Sequence, residues 1–143
     1  MAKGATKKRP TIPAHVAEAF DAFPAPVRRR LLQVRDVIFA TAAKLHGVGP
    51  LTETLKWGEP AYLTEATGSG STIRLGWLRS SEQPCAVLFN CNTTLVETFR
   101  EQFPDSFAYS KNRAICLSPS GALPRAPLSS CVTLALTYHQ RRR

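Results

Sequence analysis

The stretch Leu55-Lys56-Trp57-Gly58-Glu59-Pro60-Ala61-Tyr62 packs a tryptophan, a tyrosine, a lysine and a glutamate around Gly58 and Pro60. Gly58 permits backbone angles that other residues avoid, while Pro60 fixes its own φ and biases Glu59 toward extended geometry. The expected result is a strand, a sharp bend at Gly58-Glu59-Pro60 and a partner strand, with Trp57 and Tyr62 held side by side. An antiparallel start of this kind sets the fold class for the rest of the chain.

Downstream, Ser71 to Trp77 alternates, with Ile73, Leu75 and Trp77 on one face and Thr72, Arg74 and Gly76 on the other. Pro84 to Asn90 is apolar on both faces, as a central strand is. Thr94-x-x-Glu97 has the form of a capping box that opens a helix running to about Gln102. Phe107 to Tyr109 and Ala114 to Leu117 form a last hairpin, and Pro127 opens a closing helix to about Gln140. Upstream, His15 to Phe23 is a short helix stopped by Pro24. Val27, Leu31, Val34, Ile38, Ala42 and Leu45 recur at helical spacing between Pro26 and Gly47. The order is helix, helix, four strands, helix, two strands, helix. Short connections between strands favour antiparallel pairing. The prediction is a single α+β domain with a mainly antiparallel sheet of five to six strands and helices on one face. Residues 13–140 form that domain, residues 1–12 a flexible basic arm and residues 141–143 a basic tail.

At 143 residues the chain is the size of one domain, able to bury about two-thirds of its unfolded surface. The net charge of +9 resides mainly in Lys3, Lys7, Lys8, Arg9 and Arg141 to Arg143. Such ends are solvated, or they contact nucleic acid weakly and in a salt-dependent way. Arg28, Arg29 and Arg30 occupy the first turn of the long helix, against its dipole, and read as a solvated face partly paired with Asp21 or Asp36. No run of about 18 apolar residues marks a membrane span, and no apolar segment follows the basic start, so a cytoplasmic protein is expected. Cys85, Cys91, Cys116 and Cys131 form no C-x-x-C pair and sit in apolar contexts, as buried thiols do. His15, His46 and His139 have no ligand-like neighbours, and no phosphate loop, nucleophile elbow or metalloprotease pattern occurs. No catalytic residue, metal ligand or cofactor is therefore assigned.

The candidate binding residues are Trp57, Glu59 and Tyr62, with Lys56, Thr72, Arg74, Trp77 and Asn90 as walls. Apolar walls with a few placed polar groups are what a small-molecule pocket needs. The alternative is that Trp57 and Tyr62 fill the core and Glu59 ends a turn. Of the carboxylates nearest this stretch, Glu53, Glu59 and Glu65, one would have to be desolvated for acid–base work.

Leu55 to Tyr62 also resembles the signature of the YdhG-like bacterial family of unknown function. The resemblance continues through Ser71 to Trp77, Ala86 to Asn90, Thr93 to Arg100, Phe103-Pro104-Asp105, Asn112 to Ile115 and Ala135 to His139. For some members it implies a frataxin-like iron-chaperone role. Iron carriage needs clustered oxygen ligands, whereas the 10 acidic residues here are spread along the chain. The function expected is a non-enzymatic module that binds a small ligand or a protein partner at Leu55–Tyr62. Iron chaperoning and polyanion binding through the ends are the alternatives.

Overall fold

The computed structural model describes residues 10–141. Helix α1 (Ala14–Asp21) starts where the Pro13 carbonyl accepts the Val16 and Ala17 amides, and it ends short of Pro24. Helix α2 (Ala25–Ala43) carries Pro26 in its first turn and buries Val27, Leu31, Val34, Ile38 and Ala42. Six strands come next: β1 (Thr52–Lys56), β2 (Glu59–Leu63), β3 (Ile73–Trp77), β4 (Cys85–Leu88), β5 (Ala108–Ser110) and β6 (Ala114–Leu117). Helix α3 (Leu95–Gln102) precedes β5, and α4 (Arg125–Leu136) and α5 (Tyr138–Arg141) close the chain.

The strands form one antiparallel sheet in the order β1-β2-β3-β4-β6-β5. The α+β architecture read from the sequence is present. Strand β4 is central and buried along its whole length, as its apolar pattern on both faces implies. The register sets two faces apart. Tyr62, Ile73, Leu75, Cys85, Val87 and Ile115 join the helices in the main core, with Leu31 and Ile38 of α2 and Leu128 and Val132 of α4. Each such side chain contributes about 1.5–3 kcal/mol by leaving water. On the opposite face Ala86, Leu88, Ala114 and Cys116 make a small separate cluster with Leu78, and no helix residue joins it.

Several local expectations differ from the structure. The closing helix begins at Arg125 rather than Pro127, and it breaks at Thr137 (φ −115°) instead of running to Gln140. The loop before β3 causes the break: the Ser71 amide takes the Ala135 carbonyl at 2.9 Å and Ser69 Oγ takes that of Leu136 at 2.8 Å. The capping box does not form, because Thr94 makes no side-chain cap. Thr93 Oγ1 accepts the Leu95 amide instead, while donating to the Asn90 carbonyl at 2.6 Å. Cys91 is exposed, unlike the other three thiols. Most of the basic arm (1–9) and Arg142 and Arg143 lie outside the described residues. The part of the arm that is described is anchored, with the Pro10 carbonyl bonded to Arg35 at 2.6 Å and Ile12 packed on the core.

Candidate functional site at the first hairpin

Strands β1 and β2 are joined by the two residues Trp57-Gly58, because Lys56 pairs with Glu59. Both turn residues have positive φ, 56° for Trp57 and 75° for Gly58. That is the mark of a type I′ turn, which matches strand twist and ordinarily takes Asn-Gly. Tryptophan there costs about 1–2 kcal/mol for its Cβ. Pairing within β1–β2 places Pro60 opposite Leu55. Antiparallel alternation turns the proline nitrogen toward β3, where it has no hydrogen to give. The β2–β3 ladder accordingly starts only at Ala61.

Trp57 crowns the hairpin tip and is 90% exposed, while Tyr62 is wholly buried. The two rings are not neighbours, contrary to the expectation from the sequence. The bend is a turn centred on Trp57-Gly58, so Trp57 leaves the sheet while Tyr62, in the strand, points into the core.

On the helix face, Glu53 lies opposite Tyr62. Its carboxylate receives Arg35 Nε at 2.6 Å, Arg35 Nη2 at 2.8 Å and the Tyr62 hydroxyl at 2.9 Å. The pair is almost sealed from solvent. The Arg35 guanidinium also lies 4.7 Å over the Phe39 ring, which meets Tyr62 edge-on at 5.7 Å. Hydrogen bonding to Glu53 raises the Arg35 pKa above its usual value, and burial, reinforced by the Glu53 charge, holds Tyr62 far above the ordinary phenol range. Tyr62 thus stays a protonated donor. The bidentate geometry leaves this carboxylate no room for a substrate proton.

On the other face, Glu59 pairs with Arg74, both half-buried. The Glu59 carboxylate lies over Gly76, where any Cβ would collide with it and press on Leu88. Burial raises the Glu59 pKa, and the Arg74 charge and hydrogen bond offset part of that rise. Thr72 shares this face by strand alternation, and exposed Lys56 pairs directly with Glu59. Trp77 does not: it belongs to the helix face, with the Arg79 guanidinium 4.3 Å over its ring. Asn90 lies beyond the end of β4, where its Oδ1 accepts the Asn92 amide at 2.9 Å. The fold therefore brings Glu59, Arg74, Lys56 and Thr72 to one surface and disperses Trp57, Tyr62, Trp77 and Asn90. Glu53 and Glu59 point to opposite faces and Glu65 is exposed, so no two of these carboxylates form an acid–base pair.

Sequence reading missed Arg35 as the partner of Glu53. It also placed Arg30 on a solvated face, whereas Arg30 is buried and Arg28 donates to the Asp21 backbone carbonyl. The inward placement of both arginines, though not the choice of Glu53 as partner, was available in the sequence, since Arg35 lies four residues after Leu31 and Arg30 three after Val27, on the inward stripe of α2.

Compared with family models, curated proteins and solved structures, the chain matches none of them.

Proposed function

We propose that this chain is a non-enzymatic binding module whose contact is made by the tip of the first hairpin, on a protein partner rather than a small ligand. The observation that carries the reading is Trp57, the single large apolar side chain fully presented to solvent among the described residues. A backbone outlier at an exposed aromatic is a cost that folding does not require, and such strain concentrates at functional positions. Tryptophan is also the residue type most enriched where binding energy is concentrated. A ring on a two-residue turn has no walls around it, so it can leave water only against another molecule. Lys56 and the Glu59–Arg74 pair beside it supply the polar surround. Membership of the YdhG-like family is part of this proposal and rests on the sequence motifs alone.

The alternatives gain less. Among the described residues no group of three or more His, Cys, Asp or Glu side chains could hold a metal ion, and Glu53 is engaged by Arg35. Polyanion binding was assigned to ends that lie outside the described residues. No described helix is long and apolar enough to cross a membrane, and cytoplasmic residence remains part of the proposal.

The test places a photo-crosslinking side chain at position 57, identifies the protein captured in stoichiometric yield, and measures its affinity for purified wild-type and Trp57→Ala chains. The expected loss is about 30-fold or more, the effect of deleting an interface anchor. Equal affinity, with Trp57→Ala still folded, overturns the reading.

A further inference from the structure

Arg30 is only 4% exposed. Its guanidinium donates from Nε to the Ser118 carbonyl at 2.9 Å, from Nη1 to Gln33 Oε1 at 2.8 Å and from Nη2 to the Gly121 carbonyl. All three acceptors are neutral, and among the described residues no carboxylate lies within ion-pair distance of it. A guanidinium keeps its charge, and a buried charge is normally compensated by an opposite one. Of its five N–H groups, three are committed and two remain.

Arg30 lines an open cleft of about 260 Å³ bordered by Gln83, residues 105–108 and parts of the segment 116–124. At its rim the exposed Asp105 carboxylate has no hydrogen bond or ion pair among the described residues. Phe107 and Leu123 supply an apolar wall. The volume is below the range of pockets that hold drug-sized molecules.

We propose that this cleft binds a small zwitterion, a molecule of amino-acid size whose carboxylate pairs with Arg30 and whose ammonium pairs with Asp105. The carboxylate supplies the missing counter-charge and uses the spare N–H groups in the forked geometry that guanidinium favours. Asp105 rejects dianions, and the apolar wall takes a short side chain. The hairpin tip is at the other edge of the sheet, next to β1, so this site stands or falls independently of Trp57.

Thermal shift and calorimetry on the full chain, at fixed ionic strength, compare glycine, L-alanine, acetate, methylammonium and inorganic phosphate. Glycine and L-alanine should raise the melting temperature and bind, acetate should bind more weakly, and methylammonium and phosphate should not bind. Asp105→Asn, at the exposed rim, should leave folding intact, weaken the amino acids by about three- to fivefold and not weaken acetate, one partly exposed charge pair having been removed. Arg30→Lys should weaken every carboxylate. The proposal is overturned if no amino acid binds, if phosphate binds more tightly than glycine, or if Asp105→Asn leaves the preference for glycine over acetate intact. If Arg30 serves only to fasten the 118–121 segment, none of these ligands will bind the wild-type chain.

Discussion

The first hairpin carries two guanidinium–carboxylate pairs of the same chemistry on opposite faces. Arg35 and Glu53 are sealed beneath helix α2, bidentate, with a tyrosine hydroxyl and an aromatic ring completing the set. Glu59 and Arg74 lie half-open on the face without helices. Taking two charges out of water costs several kcal/mol each, and the further bonds from Arg35 to the Pro10 carbonyl and from Tyr62 to Glu53 offset part of that cost. The outer pair keeps part of its hydration and has little to lose. Identical residue types thus act as an internal brace on one side and as an adjustable surface on the other, separated by burial and by the further partners that burial brings.

The largest effect should come from breaking the inner pair. Glu53→Gln leaves the Arg35 charge buried without compensation, and the expected loss is about 3–5 kcal/mol in urea unfolding. Replacing the set together, Arg35→Met with Glu53→Leu and Tyr62→Phe, should recover most of that loss, since well-packed apolar residues often equal a buried ion pair. A cost below about 1 kcal/mol for Glu53→Gln would place the inner pair in the same class as the outer one. Arg35 will not add a pH dependence near neutrality. Its pKa is raised above the ordinary guanidinium value, so its contribution is fully present throughout the neutral range and lost only as a strongly alkaline pH climbs through the folded pKa.

The face that Arg74 occupies was readable and the partner of Glu53 was not, because the two depend on different levels of structure. Strand alternation separated Ile73, Leu75 and Trp77 from Thr72 and Arg74, and the register confirms that separation because side-chain period 2 is a property of the backbone. Helix α2 was legible from its apolar stripe for the same reason. The partner of Glu53 was not, because it comes from a helix 18 residues away and the choice is made by tertiary packing. Charge also misled: three consecutive arginines suggest solvent, yet the helical period carries Arg30 inward. At the turn, Gly58 and Pro60 announced a reversal without fixing which two residues turn. Trp57 does not resemble the Asn that a type I′ turn favours, so its position outside the sheet was hidden by an atypical residue.

That atypical residue gives the second prediction. Trp57→Asn places at φ 56° a side chain that tolerates the left-handed region, so the protein should gain about 1 kcal/mol and melt about 4 °C higher. The same substitution should weaken the partner contact as Trp57→Ala does. Higher stability with lower affinity is what a residue retained for binding produces. A lower melting temperature would instead mean that the indole packs on its own chain, and the hairpin tip would then belong with the inner pair as structure.

The smallest effect concerns the outer pair, where direction is the informative quantity. Desolvation raises the Glu59 pKa above 4.5 more than Arg74 lowers it. The folded state therefore holds the Glu59 proton more tightly than the unfolded chain does. Its stabilising contribution is fully present below pH 4.5 and is lost as pH rises through the folded pKa. Glu59→Gln should accordingly be neutral to slightly stabilising at pH 7, by less than about 0.5 kcal/mol, the scale of partly exposed pairs. Relative to that variant, wild type should gain stability on acidification toward pH 4.5, measured as the difference between two urea titration series. The opposite slope would mean that Arg74 outweighs burial and that Glu59 is held as firmly as Glu53. A partner that covers this face would remove more water from Glu59 and raise its pKa further. Binding should then be accompanied by proton uptake above the ordinary glutamate pKa, and the two faces would differ in function as they already differ in burial.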